Sequence, residues 1–256
     1  MAQNDIAKFD LSDLAAALGL LSRLPVKVDF DRAQLRGARA VWAYPLVGVV
    51  IGALAGLVGT LAHFIGVPPM ATAALMVACS AITTGAMHED GLADSADGLW
   101  GGWDKEHRLK IMKDSYTGVY GVVAIGLSLI LRVSLLAALV DQINLIVLGI
   151  GVGALSRAPM VALMHWLPNA RDEGLSASVG SAPAPQTYAA LALGTGIAIL
   201  CFGSSCLAIL IGTAVVTTFW AGIAKAKIQG QTGDILGAGQ QLSAIAALLC
   251  ISAALH

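Results

Sequence analysis

The sequence predicts an all-α fold, a polytopic transmembrane bundle of about seven spans with an N-terminal interfacial helix. Of the 256 residues, 57% are hydrophobic and 12% are charged, and the mean hydropathy is +0.78. A soluble domain carries about a quarter charged residues, so this chain lacks the polar surface of a soluble protein. Two stretches, 40–88 and 174–224, contain no Asp, Glu, Lys or Arg. A single span needs about twenty residues, so each stretch predicts two spans.

The elements follow in order from the N-terminus. Residues 11–26 predict a short amphipathic helix at the membrane interface, with Ser12 or Asp13 as its N-cap and Pro25 as its end. Residues 1–40 form a cytoplasmic or interfacial segment without a cleavable signal peptide, and 41–256 form one transmembrane catalytic domain. Its predicted spans are 41–65, 70–88, 119–140, 143–165, 188–203, 205–224 and 235–255, with an acidic cytoplasmic loop at 88–118.

The positions of the charges predict the orientation. With the N-terminus inside, the inner loops hold thirteen of the fifteen Lys and Arg residues, and Arg132 and Arg157 lie within spans. The positive-inside rule then places the N-terminus in the cytoplasm. The expected location is the inner membrane. The lipid bilayer is an expected partner, and a net charge of −1 argues against nucleic acid. Because almost all acidic residues also face inward, we expect an enzyme acting on soluble substrates from that side.

An acidic segment between the second and third spans carries the main chemical pattern. On a helix, Asp90, Asp94 and Asp97 recur at i, i+4 and i+7 and so share one face, with Glu89 beside them. Hard carboxylate ligands without cysteine are typical of Mg²⁺ or Mn²⁺, which serve phosphoryl and nucleotidyl transfer. The spacing alone also allows a cation-coupled transport site or a solvated acidic loop.

Basic and polar residues downstream provide candidates for substrate binding. Lys113 either contacts phosphate or anchors the chain at the membrane surface. Asp114 and Ser115 either cap the next span or belong to the site. Arg157 lies within a span, where an arginine indicates a functional role or a structural ion pair.

Two further residues are candidates because of their positions. His88 borders the acidic segment and is a candidate general base. Asp234 precedes the last span, where it caps the helix or contacts metal or substrate.

Several motifs occur together in a fixed order. The main ones are His88–Gly98, Ile111–Ser115, Gly118–Gly121 and Thr232–Ala238, preceded by Ser22–Pro25 and Tyr44–Gly48. In this order they resemble the cobalamin (5′-phosphate) synthase family, the adenosylcobinamide-GDP ribazoletransferases. The chain departs from the family pattern at Tyr116, where arginine is common, and at Gln241 and Ala244, where many members place a glutamate.

The resemblance implies a reaction and two substrates. Adenosylcobinamide-GDP would give its adenosylcobinamide-phosphate group to α-ribazole or its 5′-phosphate, with Mg²⁺ as cofactor and GMP as leaving group. Adenosylcobalamin or its 5′-phosphate would form, as the last assembly step of the nucleotide loop. The rival functions are a cation-coupled transporter and a CDP-alcohol-phosphotransferase-like enzyme, since Asp94–Gly98 matches a D-x-x-D-G fragment.

Under this interpretation each candidate residue takes a role. Metal ligands are Glu89, Asp90, Asp94 and Asp97, and the acceptor's proton goes to His88 or Asp114. Substrate contacts are assigned to Arg36, Lys113, Ser115, Arg157 and Asp234, with Asp234 completing the metal shell or orienting the acceptor. The sequence leaves open whether the chain forms a homo-oligomer.

Overall fold

A computed structural model describes residues 8–255 and confirms the all-α class. That part of the chain contains twelve α-helices, two 3₁₀ helices (Gly37–Ala43 and Gly203–Ser205) and no β-strand. The α-helices in chain order are α1 (Ser12–Leu21), α2 (Phe30–Arg36), α3 (Tyr44–Phe64), α4 (Pro69–Thr84), α5 (Met87–Gly101), α6 (Lys105–Ile111), α7 (Val119–Leu139), α8 (Leu145–Trp166), α9 (Leu175–Val179), α10 (Ala184–Phe202), α11 (Cys206–Ile228) and α12 (Gly233–Leu255).

The apolar helices make the chain a multi-pass membrane protein. Within the described residues, five stretches are long and apolar enough to cross a membrane, and the bent pair α4 and α5 is a sixth candidate. The longest stretch, Ala184–Ile228, contains both α10 and α11. Ala190 of α10 lies in one core cluster and Phe202 packs on a second, whereas α11 begins in the second at Cys206 and ends in the first at Ile228. The chain therefore reverses between α10 and α11, which agrees with about seven passes.

Glycines bring α3 and α8 into backbone contact. A Cβ atom on Gly52 would lie 1.9 Å from the carbonyl oxygen of Gly149, and one on Gly48 would lie 2.0 Å from that of Gly153. Small residues four positions apart allow such close packing between membrane helices, where dispersion rather than the hydrophobic effect holds helices together. This glycine seam fixes α8 against α3.

The N-terminal helix differs from the prediction in how it begins and ends. It runs over Ser12–Leu21, and neither Ser12 nor Asp13 caps it. Asp13 is instead buried, where it accepts hydrogen bonds from the guanidinium of Arg36, with Nη2 at 2.7 Å, and from Trp42 Nε1 at 2.7 Å. A guanidinium is a stronger partner for a buried carboxylate than backbone amides at a helix end, so the side chain turns inward. The helix ends before Pro25 because Ser22 is already extended.

A sharp bend gives the acidic segment its position. Gly85 and Ala86 both adopt left-handed backbone conformations, and α5 leaves α4 at 89°. The segment 88–118, expected to be a loop, thus contains the helices α5 and α6. It is helical because α5 packs between α7 and α12, which a solvated loop would not do.

Candidate functional site

Two glycines let α5 meet α12 backbone to backbone. A Cβ on Gly91 would lie 2.9 Å from the carbonyl oxygen of Asp234, and one on Gly237 would lie 3.3 Å from the Cα of His88. Glycine is needed here because any side chain would push the helices apart. The close approach brings Asp90 and Asp94 of α5 near Asp234 of α12, so that the three carboxylates interact electrostatically.

These helices enclose a cavity that we call the acidic cavity. Its polar lining includes His88, Asp90, Arg171 and Asp234, and its apolar lining includes Met87, Met160, Met164 and Leu236. Asp234 accepts hydrogen bonds from Arg171 Nη2 at 3.2 Å and from Thr232 Oγ1 at 3.0 Å. Asp94 lies beside the cavity and is half-buried. Three carboxylates face one guanidinium, so the site carries an excess of negative charge that favours a cation.

Asp97 forms hydrogen bonds that hold the start of α7. Its buried carboxylate accepts hydrogen bonds from the backbone N–H groups of Gly118 at 2.7 Å and Gly121 at 2.9 Å. A Cβ on Gly121 would lie 2.3 Å from that carboxylate, so only glycine allows this approach. The first N–H groups of a helix lack partners within the helix, and a carboxylate satisfies them well. The structure therefore gives Asp97 a helix-capping position.

Glu89 is committed to an ion pair within the bundle. Its Oε1 accepts hydrogen bonds from Arg132 Nη1 at 2.9 Å and from Gln241 Nε2 at 3.1 Å. Arg132 also donates to Gln241 Oε1 at 2.6 Å. The three side chains are buried, and they link α5, α7 and α12. This ion pair is the structural alternative for an arginine within a span.

Arg157 does not line the acidic cavity. Together with Glu89, Arg132 and Gln240 it lines a second cavity inside the bundle, which we call the interior cavity. His88 lines both cavities. Its position in the wall between them is consistent with the predicted role near the acidic residues.

The remaining predicted substrate residues lie outside both cavities. Arg36 is buried in its pair with Asp13, which anchors α2 to α1. Lys113, Asp114 and Ser115 are exposed on the segment between α6 and α7. Lys113 pairs with Glu173 at 2.9 Å, and its ammonium group holds the pKa of that carboxyl below its usual value.

With Asp97 and Glu89 engaged in structural contacts, Asp90, Asp94 and Asp234 are the candidate ligands for a magnesium ion that is held jointly with substrate. Among residues 8–255, no group of three or more His, Cys, Asp or Glu side chains is arranged as a preformed metal site. Mg²⁺ is commonly bound by one or two carboxylates together with substrate phosphates, which does not require such a cage. Asp90, Asp94 and Asp234 provide hard oxygen donors of this kind.

Arg171 is the site residue that the sequence-based reasoning missed. It lies in the segment between α8 and α9, and it is the only Lys or Arg between positions 158 and 224. A single basic residue in so long a stretch, directly before Asp172 and Glu173, is the pattern that points to it. Its pairing with Asp234 became apparent only from the fold, because 63 positions separate the two residues.

Comparisons with known proteins agree with this arrangement of motifs. A family model described as cobalamin-5-phosphate synthase matches residues 13–252. Proteins named adenosylcobinamide-GDP ribazoletransferase are similar over almost their whole length. The one from Bradyrhizobium diazoefficiens is 40% identical, covering 95% of this chain and 94% of the relative. The one from Sinorhizobium medicae is 42% identical, covering 95% and 97%. No solved structure matches the chain.

Proposed function

The chain belongs to the cobalamin-5-phosphate synthase family and is a transferase, and from that premise we propose its substrates and chemistry. The donor is adenosylcobinamide-GDP, and the acceptor is α-ribazole or its 5′-phosphate. A ribose hydroxyl oxygen of the acceptor bonds to the phosphorus attached to the cobinamide arm. The bond from that phosphorus to the oxygen of GMP breaks, so that GMP leaves and adenosylcobalamin or its 5′-phosphate forms.

The observation that carries this proposal is the meeting of three carboxylates and one guanidinium at the acidic cavity. Asp90, Asp94 and Asp234 would hold Mg²⁺, which neutralises charge on a pyrophosphate and on departing GMP. Arg171 is placed to contact a phosphate oxygen, and its planar fork suits bidentate binding. The acidic cavity and the adjoining Asp94 thus combine the groups that a transfer between phosphates requires.

His88 is our candidate for the residue that accepts the acceptor's proton. It lines the acidic cavity, and its buried Nε2 has no hydrogen-bond partner within the described chain. A general base must lie within reach of the proton that it removes, and a side chain in the lining of the cavity is placed for that role. Asp114, the other predicted candidate, is exposed and lines neither cavity.

We propose that the acidic cavity faces the cytoplasm and that the membrane is the inner membrane. The support is the distribution of charge, since the inner loops hold nearly all Lys and Arg residues and the loop at 141–144 holds none. The loops that border the cavity belong to this basic side. Soluble nucleotide substrates would then reach the site without crossing the bilayer.

The test is GMP release by the detergent-purified protein given adenosylcobinamide-GDP and α-ribazole, with and without Mg²⁺. We expect Mg²⁺-dependent GMP together with cobalamin. An Asp94→Asn, Asp234→Asn double variant should lose this activity. Asp31→Asn serves as the matched control, because Asp31 is exposed on α2 and lines neither cavity. Full turnover by the folded double variant would refute the site, and no GMP from folded wild type would refute the reaction.

A further inference from the structure

The interior cavity is lined by three residues with a buried polar atom, and two of them, Glu89 and Arg157, have no role in the proposed reaction. His88 Nε2, Glu89 Oε2 and Arg157 Nε all lack a hydrogen-bond partner among residues 8–255. The three side chains are 2%, 9% and 3% exposed, and all three line this cavity. Buried polar groups in folded proteins are almost always hydrogen-bonded, so three such atoms around one cavity indicate a ligand.

The charges around the interior cavity do not balance. Arg132 is neutralised by Glu89, with 2.9 Å between Nη1 and Oε1. Arg157 makes a hydrogen bond from Nη1 to the carbonyl oxygen of Gly153 at 3.1 Å. It has no ion pair with a carboxylate of the described chain, so one positive charge remains in excess. An uncompensated charge inside a membrane bundle is unfavourable, which favours an anion of charge −1.

Hydrogen bonding narrows the chemistry of that anion. Arg157 Nε is a donor and needs an acceptor, whereas ionised Glu89 accepts only and needs a donor. A ligand that satisfies both must carry one negative charge, an acceptor oxygen and an O–H group. The monoanion of phosphate has these features, and so does the monoanion of a phosphate monoester. Sulfate has no O–H group to donate to Glu89 and carries two negative charges, so it meets neither the requirement for a donor nor the requirement for a single charge.

We propose that the interior cavity is a binding site for a singly protonated phosphate group. Arg157 Nε donates to an anionic oxygen of the phosphate, and the phosphate O–H donates to Glu89 Oε2. His88 lines this cavity as well, and through His88 the phosphate site adjoins the acidic cavity. This site goes beyond the proposed transfer reaction and does not depend on it.

Equilibrium dialysis of the detergent-purified protein against radiolabelled inorganic phosphate at pH 6 tests the site. We expect saturable binding of one phosphate per chain, and we expect equimolar sulfate to compete at least about tenfold more weakly than unlabelled phosphate. GMP is a second competitor. Displacement by GMP would identify a monoester as a ligand, whereas displacement by phosphate alone would identify the free anion. Absence of saturable binding to the wild-type protein, or equal competition by sulfate, would be enough to overturn the proposal.

Two variants test the assigned contacts. Arg157→Gln should weaken phosphate binding by about tenfold or more, since it removes the excess charge. Glu89→Gln should make sulfate an effective competitor. The substitution leaves the charge of Arg132 without a counter-ion, and the new amide group can donate a hydrogen bond to a sulfate oxygen. Arg32→Gln is the matched control and should leave phosphate binding unchanged, because Arg32 is exposed on α2 and lines neither cavity. Retention of phosphate binding in Arg157→Gln, or equal loss in Arg32→Gln, would overturn the assignment.

Discussion

Replacement of Asp97 and Asp94 by asparagine, one at a time, distinguishes a carboxylate that stabilises the fold from one that is proposed to act in the reaction. Asp97 accepts hydrogen bonds at 2.7 and 2.9 Å from two backbone N–H groups at the start of α7. An asparagine retains a single acceptor oxygen, so one of the two bonds and the charge are lost. A hydrogen bond to a charged group contributes about 1.5–3 kcal/mol. We therefore expect Asp97→Asn to destabilise the protein by about 2–3 kcal/mol and to lower its melting temperature by about 4–12 °C.

Asp94→Asn should give the opposite pattern. Asp94 is close enough to Asp90 and Asp234 for their like charges to repel, and neutralising it relieves that repulsion. The melting temperature should stay the same or rise. Turnover should fall on the order of 100-fold, because a charge next to the reacting phosphates is removed.

Both quantities can be measured on the same detergent-purified samples. A tryptophan fluorescence melt gives the apparent melting temperature, and GMP release at 25 °C gives turnover of folded protein. Asp31→Asn controls for loss of an exposed carboxylate. If Asp97→Asn melts like wild type and loses turnover as Asp94→Asn does, then Asp97 is a metal ligand and the capping argument is wrong.

Three further outcomes follow from the packing and from the proposed site. Gly52→Ala should reduce the yield of folded protein, because its Cβ would lie 1.9 Å from the carbonyl oxygen of Gly149. As the control, Gly196→Ala should stabilise α10 by about 0.5–1 kcal/mol, because the space around Gly196 is open. Arg36→Ala should destabilise the protein by about 3–5 kcal/mol, because it leaves the buried carboxylate of Asp13 without its cation, while the turnover of folded molecules is retained. Chelation should abolish GMP release, and added Mg²⁺, but not Ca²⁺, should restore it.

The sequence was sufficient for the class of fold. Composition and uncharged stretches identified the multi-pass helical bundle, because span length and charge avoidance are imposed by the bilayer itself. The bend between α4 and α5 could not be predicted in this way. It depends on Ala86 adopting a left-handed conformation, which non-glycine residues rarely do, and hydropathy contains no information about it. The glycines at 48, 52 and 56 are spaced four positions apart, but the seam that they form with α8 was not predicted.

Within the acidic segment, spacing alone could not assign the individual carboxylates. Asp94 and Asp97 are the same residue type on the same helix face, but only Asp97 meets the N–H groups of α7. Its partners lie more than twenty positions away, so only the fold shows the difference. Gln241 is a second example, since it departs from the family pattern and yet bonds to both Glu89 and Arg132. A glutamate there would add a second carboxylate beside the same arginine.

The two structural carboxylates explain how the proposed metal ligands are held in place. Near one end of α5, Glu89 is hydrogen-bonded to Arg132 near the middle of α7, and near the other end Asp97 is hydrogen-bonded to the start of α7. Asp90 and Asp94 lie between these two contacts. They repel each other and Asp234, and this repulsion would otherwise favour separation of α5 from α12. Charge-assisted hydrogen bonds at both ends offset that repulsion, so the helix stays in place before any cation arrives. One motif thus contains carboxylates that fix the helix and carboxylates that are available for chemistry.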